Sequence, residues 1–148
     1  MIDTSRHYFS IETLKRTISV MPLSKLNIFH WHLTDDESFP FESATHPELA
    51  EAAYTKKSRY SYADVKDIIA FAKKNGVTVI PEIDTPGHTR SWSMNSKWKN
   101  QSINIQCKGG YRSQLDISKN AAYDLVGDVL REVDGLFVDS PMVHLGGE

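Results

Sequence analysis

Ionisable side chains recur directly behind short apolar segments of this sequence. The clearest case is at its end, where the apolar Val143 and Leu145 lead into Gly146-Gly147 and then Glu148. Two glycines let the backbone turn without hindrance from side chains, so the following carboxylate is held at the end of the strand. A carboxylate held in this way can exchange a proton with a substrate. Glu148 is therefore a candidate catalytic residue.

Two further segments offer groups that suit an oxygen-rich ligand. Arg6 presents a rigid fork of donors that fits paired oxygens, such as vicinal sugar hydroxyls or a carboxylate. A salt bridge to Asp3 would explain this arginine equally well. Asp35 follows a predicted buried strand, and its ionised carboxylate would accept hydrogen bonds from a polyol. The competing interpretation of Asp35 is a charged, solvated loop.

The segment from Asp84 to His88 combines an acid, a turn and a histidine. Pro86-Gly87 forces a turn, so Asp84 and His88 come close enough to interact. An acid beside an imidazole fixes its tautomer and raises its basicity. We therefore predict that Asp84 supports His88. Trp92, which follows shortly, suits either the wall of a sugar pocket or the apolar core.

The spacing of His30 and His32 raises the alternative of a metal centre. The two histidines alternate along a predicted strand and so face the same side. Together with His88, His144 and an acid they would offer ligands to a metal ion. We favour hydrogen-bonded interior histidines, because no cysteine accompanies them and the carboxylates cluster at strand ends rather than beside them. The sequence thus predicts no metal and no other cofactor.

Three helices can be read from the apolar periodicity. Residues at helical spacing predict one helix that begins after Ser10 and ends near Pro22. A second follows the capping-box sequence that starts at Ser61, and it ends at Asn75-Gly76. A third contains apolar residues at every fourth position of 121–133.

The extended segments alternate with these helices. A short apolar start precedes Asp3. Three further strands are predicted at residues 26–33, 77–83 and 142–145, and one short helix is predicted at residues 47–53. The long segments 34–59 and 92–115 are mostly polar, and we interpret them as loops. Pro81 within the second of these strands requires some irregularity there, because proline has no N–H to donate.

This alternation predicts an α/β fold with a parallel sheet and right-handed crossovers. A doubly wound sheet and a (β/α)8 TIM barrel both fit. We predict the barrel, because polar groups follow every strand and a barrel brings all its strand ends around one mouth. A doubly wound sheet would gather such groups at one switch point, often beside a Gly-rich phosphate loop that this sequence lacks. Four strands and three helices correspond to about half of a barrel, which needs roughly 250 residues.

Composition excludes some classes of protein. The formal net charge of −2 gives no sign of a nucleic-acid partner. No run of 18 apolar residues is present, so no segment is expected to span a membrane. Cys107 is the only cysteine and has no internal disulfide partner. Asn100-Gln101-Ser102 is a glycosylation sequon, which matters only in the secretory pathway.

Four motifs along the chain, taken together, resemble the catalytic domain of family 20 glycoside hydrolases, the β-N-acetylhexosaminidases, and most closely the eukaryotic lysosomal type. In chain order they are Asp3–Tyr8; Lys25–Leu33 with Asp35-Asp36 and Ser38-Phe39-Pro40; Glu82–His88 with Ser91-Trp92; and His144–Gly147. The resemblance extends over residues 1–148. It implies that these residues form the N-terminal half of that family's barrel, and we expect them to be a fragment truncated at both ends.

The resemblance implies removal of terminal β-linked N-acetylglucosamine or N-acetylgalactosamine from glycans, with retention and with assistance from the substrate. In that mechanism the 2-acetamido oxygen attacks the anomeric carbon and an oxazolinium intermediate forms. The internal nucleophile is already in place, which gives it a high effective molarity. One carboxylate holds the acetamide N–H, and an adjacent glutamic acid protonates the leaving oxygen and later activates water.

Carried over residue by residue, the resemblance implies that Arg6 and Asp35 bind sugar hydroxyls. It also implies that His88, supported by Asp84, lies near the acetamido group. The family reads Gly-Gly-Asp-Glu where this sequence has Gly146-Gly147 followed directly by Glu148. Either Glu148 occupies the acetamide-orienting position and the acid would follow it, or the aspartate is absent and Glu148 is the acid. Register favours the first interpretation.

The family also implies a lysosomal or secreted location and a possible dimer of the full-length protein. Two other function classes remain open. A metal-dependent barrel hydrolase would use His30, His32, His88 and His144. A non-catalytic relative would bind the sugar without turnover.

We predict that residues 1–148 alone are inactive and poorly soluble. Half a barrel leaves unpaired edges on its first and last strands and leaves half of its core uncovered. The measurement is nitrophenol release from a nitrophenyl N-acetylglucosaminide by the purified fragment. Measurable release would refute this prediction.

Overall fold

The fold is built on parallel strands with helices between them. The structure, a computed structural model, describes residues 1–105, 110 and 112–148, so Cys107 lies outside the described part. The elements, in chain order, are β1 (Ile2–Asp3), α1 (Ile11–Val20), β2 (Ile28–Thr34), α2 (Tyr62–Lys74), β3 (Thr78–Thr85), β4 (Asn104–Ile105), β5 (Gln114–Leu115), α3 (Asn120–Leu136) and β6 (His144–Gly146). Short 3-10 helices cover Met21–Ser24, Pro47–Ala52 and Arg90–Ser93.

Within the described residues, one sheet has the strand order β1-β2-β3-β6, and every pair in it is parallel. Helices α1, α2 and α3 lie between successive strands of this sheet and return the chain to the same end of it, as the alternating pattern predicts. No helix in the described part of the chain combines the length and apolar character needed to cross a bilayer.

The predicted helix starts are confirmed, because they rest on local capping. The Ser10 hydroxyl accepts a hydrogen bond from the Thr13 N–H at 3.2 Å. At α2 the Ser61 hydroxyl accepts from the Asp64 N–H at 3.1 Å, and the Asp64 carboxylate accepts from the Ser61 N–H at 2.9 Å. Gly76, with φ +68°, then lets the chain leave α2.

The strand boundaries differ from those predicted. Leu26 is 56% exposed and is not part of β2, because its N–H still donates to the Met21 carbonyl in the turn after α1. β3 extends to Thr85 and carries Pro81 opposite Trp31. Its pairing with β6 begins at Glu82, one residue after the proline. The irregularity expected at Pro81 is not seen, because β3 pairs in register with β2 from Thr78 to Glu82 and the register shifts begin after Glu82.

The segment 92–115 is more ordered than a loop. Its described residues include the antiparallel pair β4–β5, and they bury Trp98 and Ile103. Helix α3 also turns a slightly different face inward than predicted, since Ala122 is buried and Ala121 only partly so. Two-residue strands carry too little alternating pattern to be recognised in a sequence.

An aromatic group ties β1 and β2 to the following loops. Trp31 on β2 donates its indole N–H to the Thr4 hydroxyl at 2.9 Å, and its ring meets the edge of Tyr60 at 5.2 Å. Tyr60 is fully buried and stacks on Tyr8. Its hydroxyl donates to the Phe9 carbonyl at 2.6 Å and accepts from the Phe9 N–H at 3.2 Å. The segment that carries Arg6 is therefore anchored to the core on both sides, at Thr4 and at Phe9.

We predict that Tyr60→Phe lowers the free energy of unfolding of the full-length protein by about 1–3 kcal/mol, because both backbone groups of Phe9 lose a buried partner. Urea unfolding followed by tryptophan fluorescence measures the change. Tyr123→Phe is the matched control, since Tyr123 is 62% exposed and should change stability little. Equal stability of Tyr60→Phe and the wild type would contradict this account.

Candidate active site

The strand register brings the candidate residues to one edge of the sheet. Asp3 is level with His32 across β1 and β2, and Glu82 is level with His144 across β3 and β6. The residues that follow the carboxyl ends of these strands therefore meet at the same edge. The predicted gathering of Arg6, Asp35, Asp84, His88 and Glu148 is what the structure shows.

Arg6 bridges two carboxylates. Its Nη1 lies 2.7 Å from Asp3 Oδ2, and its Nη2 lies 2.7 Å from Asp35 Oδ2. A looser contact of 3.5 Å joins Nε to Glu37. The salt bridge to Asp3 is thus present, and the guanidinium also reaches the candidate site, while its binding of sugar oxygens stays a prediction. Its side chain remains 41% exposed, so its donors are accessible from the mouth.

Asp35 lies at the centre of the site and is not a solvated loop residue. Its side chain is 1% exposed. Besides Arg6, it contacts His32 Nε2 at 2.9 Å and His88 Nδ1 at 3.0 Å. Burial alone would raise the pKa of Asp35, but the bonds from His32, the Asp36 N–H and His88, with the charge of Arg6, lower it to about 2. The carboxylate is therefore ionised and accepts hydrogen bonds only.

His88 links Asp35 to Glu148. Its Nδ1 faces Asp35, and its Nε2 lies 2.9 Å from Glu148 Oε2. The hydrogen bond to Glu148 is the main influence that raises the pKa of His88, and Asp35 and Asp84 add to it. The predicted support from Asp84 therefore acts through charge alone, and Asp35 supplies the direct bond. His88 has φ +55°, and its ring forms its hydrogen bond with Asp35, which follows β2, rather than with Asp84.

Asp84 points instead at the backbone of β6. It is buried, and its Oδ1 has no hydrogen-bond partner within the described residues. Burial raises its pKa. A Cβ on Gly146 would overlap the Asp84 carboxylate, and one on Gly87 would lie 2.7 Å from the Glu148 carbonyl oxygen. Each glycine thus makes room for the acid-bearing segment opposite it.

Glu148 is held at two points. Its backbone carbonyl accepts from the Gly87 N–H at 3.0 Å, and its carboxylate meets His88. A carboxylate oriented in this way suits proton transfer or the orientation of a polar substrate group.

Three of the candidate histidines gather around one carboxylate, Glu82. His30 Nε2 contacts Glu82 Oε2, His32 Nδ1 lies 3.1 Å from the same oxygen, and His144 Nδ1 lies 3.3 Å from Oε1. The expectation that no carboxylate accompanies the histidines is therefore wrong. Its cause is the sheet register, which sets Glu82 level with both His32 and His144.

These groups are close enough to offer ligands to a metal ion, in sets such as His30-Glu82-His144 and His32-Glu82-Asp84. The geometry nevertheless suits direct hydrogen bonding. The Nδ1 lone pair of His144 accepts the Gly146 N–H at 3.0 Å, and both nitrogens of His32 face carboxylates in direct contact. An imidazole binds a metal through such a lone pair. The hydrogen-bonded interpretation of the histidines is thus favoured by their contacts, and the absence of a metal stays a prediction.

Sequence reasoning missed two residues that build the site. Glu82 is two residues before Asp84 on the same strand, and the period of two would have placed both on one face. Asp36 accepts from the Arg90 N–H at 2.9 Å and from the Ser113 hydroxyl at 2.7 Å, which ties the end of β2 to the segments around it. No local pattern marks these long-range bonds.

Trp92 belongs to the core rather than to the wall of a pocket. It is fully buried, and its ring meets the edge of Phe39 at 5.4 Å between centroids. The neighbouring Ser91 has the more direct link to the site, because its hydroxyl donates to the Asp35 carbonyl at 2.6 Å.

Parallel strands that present an arginine, histidines and several carboxylates at their carboxyl ends are typical of (β/α)8 hydrolases. Comparison with known proteins agrees and is more specific. The family model described as "Glycosyl hydrolase family 20, catalytic domain" matches residues 1–148. The chain therefore belongs to glycosyl hydrolase family 20.

Individual relatives match over the whole chain. Beta-hexosaminidase A of Caenorhabditis elegans is 41% identical over 150 residues, and Beta-hexosaminidase 1 of Arabidopsis thaliana is 38% identical over 148 residues. Both alignments cover 100% of this chain, but only 27% and 26% of those proteins. The chain thus spans about a quarter of the length of the curated relatives it matches.

A solved structure supports the same assignment. The family 20 exo-β-N-acetylglucosaminidase of Vibrio harveyi, in complex with N-acetylglucosamine, superposes with a TM-score of 0.82 at 33% identity. The match covers 97% of this chain and 26% of that one. The fold is accordingly that of part of a (β/α)8 barrel, as predicted.

We predict that Gly146→Ala destabilises the full-length protein by about 2–4 kcal/mol. The change forces an L-residue into positive φ, which costs about 1–2 kcal/mol, and drives a methyl group into the buried Asp84 carboxylate, which adds a similar overpacking cost. Gly76→Ala is the matched control, because Gly76 has φ +68° against +69° at Gly146 but no atom within 4 Å of the added Cβ. Thermal and urea unfolding measure both. Equal losses in the two variants would show that the Asp84 contact costs nothing.

Proposed function

We propose that the protein containing this chain hydrolyses terminal, non-reducing β-linked N-acetylhexosamine residues of glycans. The reaction retains the anomeric configuration, and the substrate's own acetamido group is the nucleophile. The observation that carries the proposal is the connected set Arg6, Asp35, His88 and Glu148 at the strand ends of a family 20 catalytic domain. N-acetylglucosamine and N-acetylgalactosamine both fit this chemistry.

Arg6 and Asp35 are proposed to bind the sugar's ring hydroxyls. The ionised Asp35 accepts hydrogen bonds, and the guanidinium of Arg6 donates them, so a vicinal diol can be held by one acceptor and one donor. The 2.7 Å contact between the two groups keeps both in register before the sugar arrives. Positioning of this kind lowers the entropic cost of reaching the reactive geometry.

Glu148 is proposed to orient the acetamido group. A carboxylate that accepts the acetamide N–H makes the carbonyl oxygen a better nucleophile toward the anomeric carbon. His88 fixes the Glu148 carboxylate from one side at 2.9 Å, while Asp35 fixes His88 from the other at 3.0 Å. As the oxazolinium ring forms, positive charge develops on the acetamido group, and the adjacent carboxylate stabilises it.

In this proposal the general acid is the glutamic acid that follows Glu148 in the family's acidic pair. It gives a proton to the leaving oxygen and then removes one from the attacking water. If Glu148 itself were the acid, His88 would direct its carboxylate toward the leaving oxygen instead of toward the acetamido group. The two assignments make different demands on the leaving group, and this separates them experimentally.

The wider setting follows from the family resemblance. We propose a lysosomal or secreted location, glycans ending in N-acetylhexosamine as substrates, and a dimer of the full-length protein. We further propose that no metal or other cofactor takes part. Insensitivity of the activity to a chelator would support this last point, and loss of activity on chelation would instead favour the histidine metal centre.

We predict that Glu148→Gln in the full-length protein lowers kcat at least about 100-fold on both a nitrophenyl N-acetylglucosaminide and an N-acetylglucosamine disaccharide. Loss of an orienting carboxylate impairs the first, nucleophilic step whatever the leaving group is. Loss of a general acid typically lowers the rate about 100-fold or more when the leaving group needs a proton, as in the disaccharide. It has little effect on the nitrophenyl substrate, because nitrophenolate departs without a proton. Steady-state kinetics on the two substrates measure the difference, and Glu12→Gln, an exposed position in the first turn of α1, is the control.

The outcomes separate the hypotheses. A large loss on the disaccharide with little loss on the nitrophenyl substrate would assign Glu148 as the acid. Binding of N-acetylglucosamine without turnover by the wild type would overturn the proposed hydrolysis and favour a sugar-binding relative. Neither binding nor turnover of either hexosaminide would remove the proposed function altogether.

A further inference from the structure

His32 is buried between two carboxylates, with one on each ring nitrogen. Nε2 lies 2.9 Å from Asp35 Oδ2, and Nδ1 lies 3.1 Å from Glu82 Oε2. The histidine is 5% exposed, so water cannot replace either partner easily. His32 thus connects Glu82, beneath the site, with Asp35, at its centre.

This arrangement fixes the protonation state of the ring. A neutral imidazole has one N–H and one lone pair, and only the imidazolium donates from both nitrogens. A neutral His32 would therefore direct a lone pair at one of two carboxylates within hydrogen-bond distance. A lone pair that faces a buried carboxylate at this distance is repelled by it, so the pair of acids favours the cation.

Charged groups on the neighbouring elements affect the protonation of His32 in two ways. Nearby carboxylates favour the imidazolium, and nearby cations weaken the pull of the carboxylates that they contact. From β1, Asp3 lies close to His32, and from β3, Asp84 accompanies Glu82. Arg6 contacts the same Asp35 oxygen as His32, Oδ2, and His88 contacts Oδ1, so both compete for the charge of Asp35. His30 and His144 compete for the charge of Glu82 in the same way. Carboxylates thus dominate the immediate surroundings of the ring.

We propose that His32, held as an imidazolium by Glu82, is the positioning residue that fixes Asp35 for binding the sugar hydroxyls. The inference rests on the proposed function, since it assigns Asp35 to the sugar. Glu82 reaches Asp35 through His32, whose ring contacts both carboxylates. The two form a buried support for the part of the site that grips the sugar.

The support has a defined pH range. Burial by itself would lower the pKa of His32, but the hydrogen bonds to Asp35 and Glu82 outweigh it and raise the pKa to about 9. A group whose pKa is raised in the folded state contributes stability that is full below its ordinary value of about 6.5. That contribution declines as the pH rises and is lost as the pH passes about 9. Sugar affinity depends on the protonation of His32 in the folded protein alone, so in the wild type it should decline only as the pH approaches about 9.

The experiment compares wild type with Glu82→Gln in the full-length protein. The substitution keeps the shape of the side chain but removes the charge that holds the second proton on His32. Ring-labelled histidine NMR follows the titration of His32, with the signal assigned by its absence in His32→Gln. Calorimetry measures the Kd of N-acetylglucosamine at about pH 6 and about pH 8.5, on either side of the ordinary histidine pKa.

Glu132→Gln is the matched control. The Glu132 carboxylate also accepts several hydrogen bonds, from the Ser43 hydroxyl at 2.5 Å and from the N–H groups of Ala44 at 2.6 Å and Thr45 at 3.2 Å. It lies on α3, away from the strand-end cluster, so its loss affects stability without affecting His32.

We expect His32 of the wild type and of Glu132→Gln to stay protonated beyond about pH 8, and that of Glu82→Gln to titrate at lower pH. We also expect about tenfold weaker sugar binding at the higher pH than at the lower in Glu82→Gln, against less than about twofold in the wild type. Titration of wild-type His32 near its ordinary value of about 6.5 would overturn the proposal even if Glu82→Gln failed to fold. An unchanged pH dependence of the Kd in a folded Glu82→Gln would overturn it as well.

The NMR measurement needs no sugar and no turnover. If the protein bound no N-acetylglucosamine at any pH, the proposed function and the role given to Asp35 would both fail. The titration would still decide separately whether Glu82 holds His32 as a cation.

Discussion

The carboxylate of Asp35 is buried and ionised, and a buried charge is stable only when it is paired and hydrogen-bonded. Its partners come from separate parts of the chain: Arg6 after β1, His32 on β2 itself, and His88 after β3. The Ser91 hydroxyl holds its backbone carbonyl. Strand register and loop conformation must all agree for these groups to meet, so one desolvated carboxylate sets the geometry of the whole mouth.

Small residues let the acid-bearing segments approach each other. Gly146 makes room for the Asp84 carboxylate, and Gly87 makes room for the backbone of Glu148. These contacts join the end of β3 to the end of β6 at the same edge where Asp35 lies. Gly87 and Gly146, which belong to different sequence motifs, therefore allow close packing as well as turning of the chain.

Parts of the molecule that depend on local chemistry were predictable from the sequence. The helix starts at Ser10 and Ser61 follow from capping, and the gathering of Arg6, Asp35 and His88 follows from parallel strands that end at one edge. The direct partner of His88 was not predictable, because it depends on the direction of a side chain after a turn. The contact of Glu82 with the histidines depends on register between distant strands, and β4–β5 is too short to leave a pattern.

The turn that follows β3 holds Glu148 at both its backbone and its side chain, through the Gly87 N–H and the His88 ring. Because both attachments come from adjacent residues, the histidine and the carboxylate form one rigid unit. A small displacement of that turn would carry the two together and preserve the 2.9 Å between them. What would change is the 3.0 Å contact between His88 and Asp35, and with it the position of Glu148 relative to the central carboxylate of the site.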